Sequence, residues 1–260
     1  MSRSAGLWIA AALATVAAAA WQWRTGPSYP YRARQMLGGT EIRIVLPRSH
    51  VTTSPARVAV ALPAGAEGTL YWRRFQVEQA FAAIPLRPDS GTFAAPIPIQ
   101  PRATRVEYYL QLTAGMYRLR IPPRTPATVM LRYRDPIPAL LLIAHIAVMI
   151  LAMLLGVRAA LAAAWEAGGY RGLAILALAA LTLGGFVLGP IVQKEGMGAY
   201  WTGVPFGWDL TDNKTLVAWI GWAAAALATT RGWRRARWIV AAALVIMLAA
   251  FLIPHSVPGG

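Results

Sequence analysis

Residues 128–150 read TVMLRYRDPIPALLLIAHIAVMI, and two periodicities meet inside that stretch. In its first half Val129, Leu131 and Tyr133 alternate with Met130, Arg132 and Arg134. That two-residue period belongs to a strand with one buried face. After Asp135-Pro136-Ile137-Pro138 the alternation stops, and every residue to Ile150 except His145 is apolar. Such a run suits a helix in lipid better than one in water. The junction predicts a β-rich part before it and a membrane part after it.

Composition agrees with the second half of that reading. Of 260 residues, 57% are hydrophobic and only 13% are charged, too few charges for an ordinary soluble domain. The chain has no cysteine, which excludes disulfides, zinc–cysteine sites, iron–sulfur clusters and thiol catalysis. Five apolar segments stand out, at 6–21, 137–156, 173–189, 216–230 and 238–253. Each approaches the ~20 residues that cross a hydrocarbon core, the fourth only by borrowing flanking residues. The first is Ala-rich with Arg3 ahead of it, a pattern shared with signal peptides, and is expected to be a retained anchor over 1–23.

Charge sets the orientation. The loop after the second span holds Arg158 and Arg171 against Glu166, and the loop after the fourth, RGWRRAR, holds four arginines and no acid. Short basic loops belong on the cytoplasmic side. The expected topology therefore has a cytoplasmic N-terminus in a bacterial inner membrane. Residues 24–135, the 190–215 loop and the C-terminal PHSVPGG then lie in the periplasm, with 136–260 forming a four-helix membrane region. Trp21, Trp23, Trp201, Trp208, Trp233 and Trp238 fall near span ends, where amphipathic rings prefer to sit.

Within 24–135 the alternation of residues 128–134 recurs in EIRIVLP, RVAVALP, TLYWRRF, TRVEYYLQLT and MYRLRIP. Six or seven short strands punctuated by Gly and Pro predict an immunoglobulin-like β-sandwich, with Trp72 as its central core tryptophan. The segment carries 16 Arg and 6 acids, a net of +10. Arg118 and Arg120 alternate with the apolar face of one expected strand, Arg132 and Arg134 with that of the next. Paired as a hairpin, these strands would show four arginines on one face. That face is either a solvated surface or an attractor for anionic lipid or an acidic protein. An external location and the lack of any recognition motif argue against nucleic acid.

Two features of the membrane part carry polar chemistry. His145 is the one ionisable residue within an expected span. It either ligates a haem iron or pigment magnesium, or bonds the backbone of a neighbouring helix. The only imidazole available as a second ligand, His255, lies at the outer end of the fifth span, at a different height. The stretch YWTGVPFGWDLTDNKT, residues 200–215, joins the third and fourth spans. Asp209, Asp212 and Asn213 suit calcium chemically but match no EF-hand spacing. Asp212 or Asn213 is expected to cap the fourth helix, and the density of aromatics (Trp201, Phe206, Trp208) points to partner docking. Gly185-x-x-x-Gly189 and Gly221-x-x-x-Ala225 permit close helix approach, within the bundle or to another subunit.

No nucleophile–base pair and no intramembrane proton relay can be assembled, so no enzyme is expected. The expected function is a non-catalytic accessory or scaffolding subunit of a larger integral membrane complex. By analogy of architecture alone, structural subunits of photosynthetic or respiratory complexes are similar. No cofactor is required by this reading. Its rivals are a periplasmic ligand-binding sensor module and a cofactor-binding membrane protein that uses His145.

Overall fold

The strands and helices expected from periodicity divide the chain into two units, Pro27–Pro136 and Met1–Gly26 with Ile137–Gly260. A computed structural model describes residues 2–165 and 168–253 of the chain. Glu166 and the C-terminal PHSVPGG, used in the topology argument, and His255, weighed as a second ligand beside His145, lie outside the described residues.

The β-unit has eleven strands among its described residues. They are β1 (Tyr31–Leu37), β2 (Thr40–Leu46), β3 (Ser49–Val51), β4 (Ala56–Val60), β5 (Ala66–Arg74), β6 (Ala82–Pro85), β7 (Arg87–Asp89), β8 (Thr92–Ile97), β9 (Arg105–Ala114), β10 (Tyr117–Ile121) and β11 (Val129–Arg134). They form a β1–β2 hairpin, a three-stranded sheet ordered β4-β8-β7, and a six-stranded sheet ordered β3-β11-β9-β5-β6 with β10 also on β9. All three sheets contribute to one hydrophobic core, which includes Ile44, Val58, Leu70, Ile97, Leu110 and Leu131. Trp72 packs only at the margin of this core. Its largest fully buried rings are Tyr108 and Tyr133. Each hydroxyl is satisfied: Tyr108 donates to the Pro47 carbonyl at 2.7 Å, and Tyr133 to the Pro98 carbonyl at 3.1 Å.

The expected β10–β11 hairpin does not form. Both strands pair antiparallel with β9, β10 along residues 110–114 and β11 along residues 105–108. Pro122, Pro123 and Pro126 lie between them, and proline cannot donate to a ladder. The ten-residue β9 is long enough to accept both strands in series. Arg118 stands opposite Thr113, Arg120 opposite Gln111, and Arg132 opposite Arg105. Alternation adds Arg134, so the four arginines share the outer face of the sheet through β9.

The helical unit has five helices among its described residues: α1 (Arg3–Thr25), α2 (Ala139–Ala164), α3 (Tyr170–Met197), α4 (Leu210–Thr230) and α5 (Ala236–Leu252). Three of them, α1, α2 and α3, are long and apolar enough to cross a membrane. Large apolar side chains such as Leu13, Val16, Leu140 and Ile143 are exposed along the helices, as lipid contact requires. α2 is longer than its apolar run because the Ala-rich AALAAA that follows Arg158 strongly favours helix. Arg158 therefore lies within α2 and not in a loop. It is only 6% exposed, donates to Ser4 Oγ at 3.3 Å and lies over the Trp8 ring.

Small residues let these helices approach. A Cβ at Gly156 would come within 2.6 Å of Trp222, the largest fully buried side chain, and within 2.5 Å of Met247. A Cβ at Gly185 would meet Thr215 at 2.5 Å, and one at Gly221 would meet Ala243 at 3.5 Å. Both small-residue motifs thus serve packing inside this unit.

Contacts at the helix ends show that neighbours alternate in direction. Arg3 donates to the Trp165 carbonyl, joining the start of α1 to the end of α2. A Cβ on Gly196 would strike Ile137, joining the start of α2 to the end of α3. Trp21 donates to the Leu252 carbonyl and Lys214 to that of Ile253, bringing together the ends of α1 and α5 and the start of α4. The chain therefore leaves the helical unit at Gly26, and returns at Ile137, at the end that carries the α3–α4 connection. Arg3, Arg158, Arg171 and the 231–237 arginines occupy the opposite end.

Candidate functional site

The α3–α4 connection, residues 198–209, is shorter than the sequence suggests, because α3 continues to Met197 and α4 begins at Leu210. Its geometry starts from the first turn of α4. Asp209 is the N-cap: its carboxylate accepts from Thr211 N at 2.9 Å and Asp212 N at 3.1 Å. The cap is thus Asp209, not Asp212 or Asn213. The two residues expected as caps lie in the first turn, where their side chains reach back to hold the loop.

Asp212 is 6% exposed. Its Oδ2 accepts from Thr202 N at 2.6 Å, Gly203 N at 3.0 Å, Thr202 Oγ1 at 3.2 Å and Gln193 Nε2 at 3.2 Å. Asn213 Oδ1 accepts from Val204 N at 2.8 Å. These donors, with the positive end of α4, balance a carboxylate that burial would otherwise disfavour. They occupy Asp212 Oδ2, and no group of three or more His, Cys, Asp or Glu able to hold a metal occurs among the described residues. Gly203 and Gly207 are required by this closeness. A Cβ on Gly203 would lie 2.6 Å from that of Asp212, and one on Gly207 would collide with the Thr202 carbonyl.

The aromatics divide into two groups. Trp201 stacks on Phe186 of α3 with ring centroids 5.4 Å apart, and donates to the Val204 carbonyl at 3.1 Å. It anchors the loop to the helices. Phe206 and Trp208 point away, 82% and 88% exposed, and Tyr200 is exposed beside Lys194. A loop held by four hydrogen bonds to Asp212 and Asn213 in one helix turn therefore presents two large apolar rings that are almost wholly exposed. Exposed rings held this rigidly can bind a partner surface at low entropic cost.

His145 belongs to a different place in the same unit. Residues Leu183–Leu188 form a π-helical turn within α3. The Gly184 carbonyl accepts from Gly189 N and lies 3.0 Å from His145 Nδ1. A Cβ on Gly184 would come within 2.7 Å of Met149 Sδ, so the glycine is what lets α2 and α3 close on this bond. The imidazole meets the backbone of a neighbouring helix, with Nδ1 as donor and Nε2 as the remaining lone pair. The π turn leaves no signature in the sequence beyond the Gly184–Gly185 pair.

On the β-unit, the outer face of β5, β9 and β10 gathers the arginines with aromatic rings. Arg73 bonds Glu107 at 2.7 Å and lies over Phe81. Arg120 lies 4.3 Å from the centre of the Tyr109 ring, which stacks on Tyr71. Arg134 donates to Ser49 Oγ at 3.4 Å, Arg132 is half-buried, and Arg118 is exposed.

No protein-family model matches this chain, and no curated protein is significantly similar to it.

Proposed function

We propose that the protein is a non-catalytic accessory subunit of a larger membrane complex, and that the α3–α4 loop docks a partner subunit through Phe206 and Trp208. The observation that carries this reading is the contrast between rigid support and exposed rings. Asp209, Asp212, Asn213 and Trp201 hold the backbone, while the Phe206 and Trp208 rings stand almost wholly exposed. Aromatic anchors of this kind are enriched among the residues that dominate interfaces.

In this reading all five helices span a bacterial inner membrane, α4 and α5 being carried by their neighbours. The basic end lies in the cytoplasm by the positive-inside rule. The β-unit, read as an immunoglobulin-like sandwich, then lies in the periplasm with the α3–α4 loop, since the chain enters and leaves it from the loop's end of the helical unit. Its net positive charge adds attraction for anionic lipid or acidic protein surfaces around the complex. Purification in mild detergent tests the proposal: stoichiometric membrane partners should accompany the wild type and be lost from the Phe206→Ala/Trp208→Ala double variant. A monodisperse monomer from native membranes refutes it.

A second reading rests on His145. With Nδ1 committed to the Gly184 carbonyl, Nε2 has the tautomer that binds haem iron or a pigment magnesium. An absorption spectrum of the purified protein decides it, a Soret or pigment band being the supporting result.

A further inference from the structure

The arginine pair Arg118 and Arg120 carries more structure than a charged surface requires. The strand register sets two rows of polar side chains across three strands. Arg118 lies opposite Thr113, which lies opposite Glu67; Arg120 lies opposite Gln111, which lies opposite Thr69. With strands about 4.8 Å apart and same-face neighbours about 6.8 Å apart, the six positions cover about 10 by 7 Å. The next row is Tyr109 beside Tyr71, stacked at 4.9 Å. The six grid residues, together with Leu86, Phe93, Leu112 and Leu119 from the core side of the strands, border a cavity of about 650 Å³.

The grid is chemically mixed. Arg120 is pinned by donating Nη1 to the carbonyls of Pro122 at 2.7 Å and Arg124 at 3.0 Å, and by the Tyr109 ring. Its Nε and Nη2 make no hydrogen bond among the described residues. Arg118, Thr69, Gln111, Thr113 and Glu67 have side chains without a hydrogen bond among the described residues. A simple anion would use only the two guanidinium groups and would be repelled by Glu67. A ligand rich in hydroxyls uses every position: the hydroxyls of Thr69 and Thr113 and the Gln111 amide both donate and accept, and Glu67 accepts. Tyr109, covered by Arg120 and stacked on Tyr71, closes one side of the grid.

We propose that this face binds an acidic oligosaccharide. A sugar carboxylate sits between Arg118 and Arg120, and the ring hydroxyls lie on Gln111, Thr69, Thr113 and Glu67. The site is independent of the docking loop and stands or falls separately from it. It is tested by calorimetric titration of the full-length protein in nanodiscs with trigalacturonate, maltotriose and polyglutamate. The expected result is saturable binding of trigalacturonate, with maltotriose and polyglutamate each at least tenfold weaker. Arg118→Gln, at an exposed position with no contact to lose, weakens trigalacturonate roughly tenfold, as removal of one charged hydrogen bond should. Gln111→Ala weakens it roughly fivefold while leaving the melting temperature unchanged. Equal binding of polyglutamate means that an acidic peptide meets a plain cationic surface, and overturns the proposal. So does the absence of trigalacturonate binding, or affinity indifferent to both substitutions.

Discussion

Replacing Asp212 by alanine removes the acceptor on which the α3–α4 loop converges. Of the four donors to Oδ2, Thr202 Oγ1 and Gln193 Nε2 keep each other, at 2.8 Å. Thr202 N and Gly203 N keep nothing. An unsatisfied buried N–H costs about 1–3 kcal/mol, and water can recover part of this at the half-buried Thr202, so the loop loses about 2–4 kcal/mol. The core around Gly156 and Trp222 is untouched, so the loss is confined to local opening. Amide exchange at residues 201–209 should rise roughly 30- to 1,000-fold at about 1.4 kcal/mol per decade, with the interior of α4 unchanged. Asp212→Asn retains an oxygen without the charge and should cost about 1 kcal/mol. Hydrogen–deuterium exchange in nanodiscs reads all of this. Unchanged protection of residues 201–209 in Asp212→Ala would refute the view that this carboxylate orders the loop.

Phe206→Ala and Trp208→Ala should each change thermal stability by less than about 0.5 kcal/mol, because the rings are exposed. Each should weaken partner binding by at least about 2 kcal/mol, measured by affinity capture with quantitative mass spectrometry. Gly156→Leu should be destabilising by about 1–3 kcal/mol or abolish folding, since its side chain would occupy the space of Trp222 and Met247; Trp222→Ala should cost about 3–5 kcal/mol. Detergent-phase thermal melts check both. Burial raises the Tyr108 phenol well above its ordinary value, so its contribution to stability is complete below about pH 10 and is lost as pH rises further. Tyr108→Phe should be less stable at neutral pH by about 1–2 kcal/mol, through the orphaned Pro47 carbonyl, yet lose less on going to alkaline pH, as followed by circular dichroism.

The strands that alternate cleanly were legible. RVEYYLQL and VMLRYR became β9 and β11 because one face of each is buried and its period survives in the sequence. Strands carrying prolines were not. Pro85, Pro88 and Pro96 lie inside β6, β7 and β8, where a rule that demotes proline-bearing runs hides them. β1 was missed because its inner face is only partly buried, although Gly38-Gly39, both at positive φ, marks the hairpin turn to β2. At the loop, the aspartates and aromatics were recognisable as a group, but their division of labour was not. Which carboxylate caps and which one reaches back to Thr202 depends on where the helix starts, to within one turn. The Arg118–Glu67 grid was invisible for a similar reason: β10 pairs with β9 and not with β11, and register cannot be read from alternation alone.

Absence of cysteine makes the membrane topology directly measurable. Single cysteines placed at Met116, 97% exposed in the β-unit, at Phe206 in the docking loop and at Trp233 in the basic connection can be probed with a membrane-impermeant maleimide. With the outer membrane permeabilised and the inner membrane intact, positions 116 and 206 are predicted to label and position 233 only after lysis. Labelling of 233 together with protection of 116 and 206 would contradict the account.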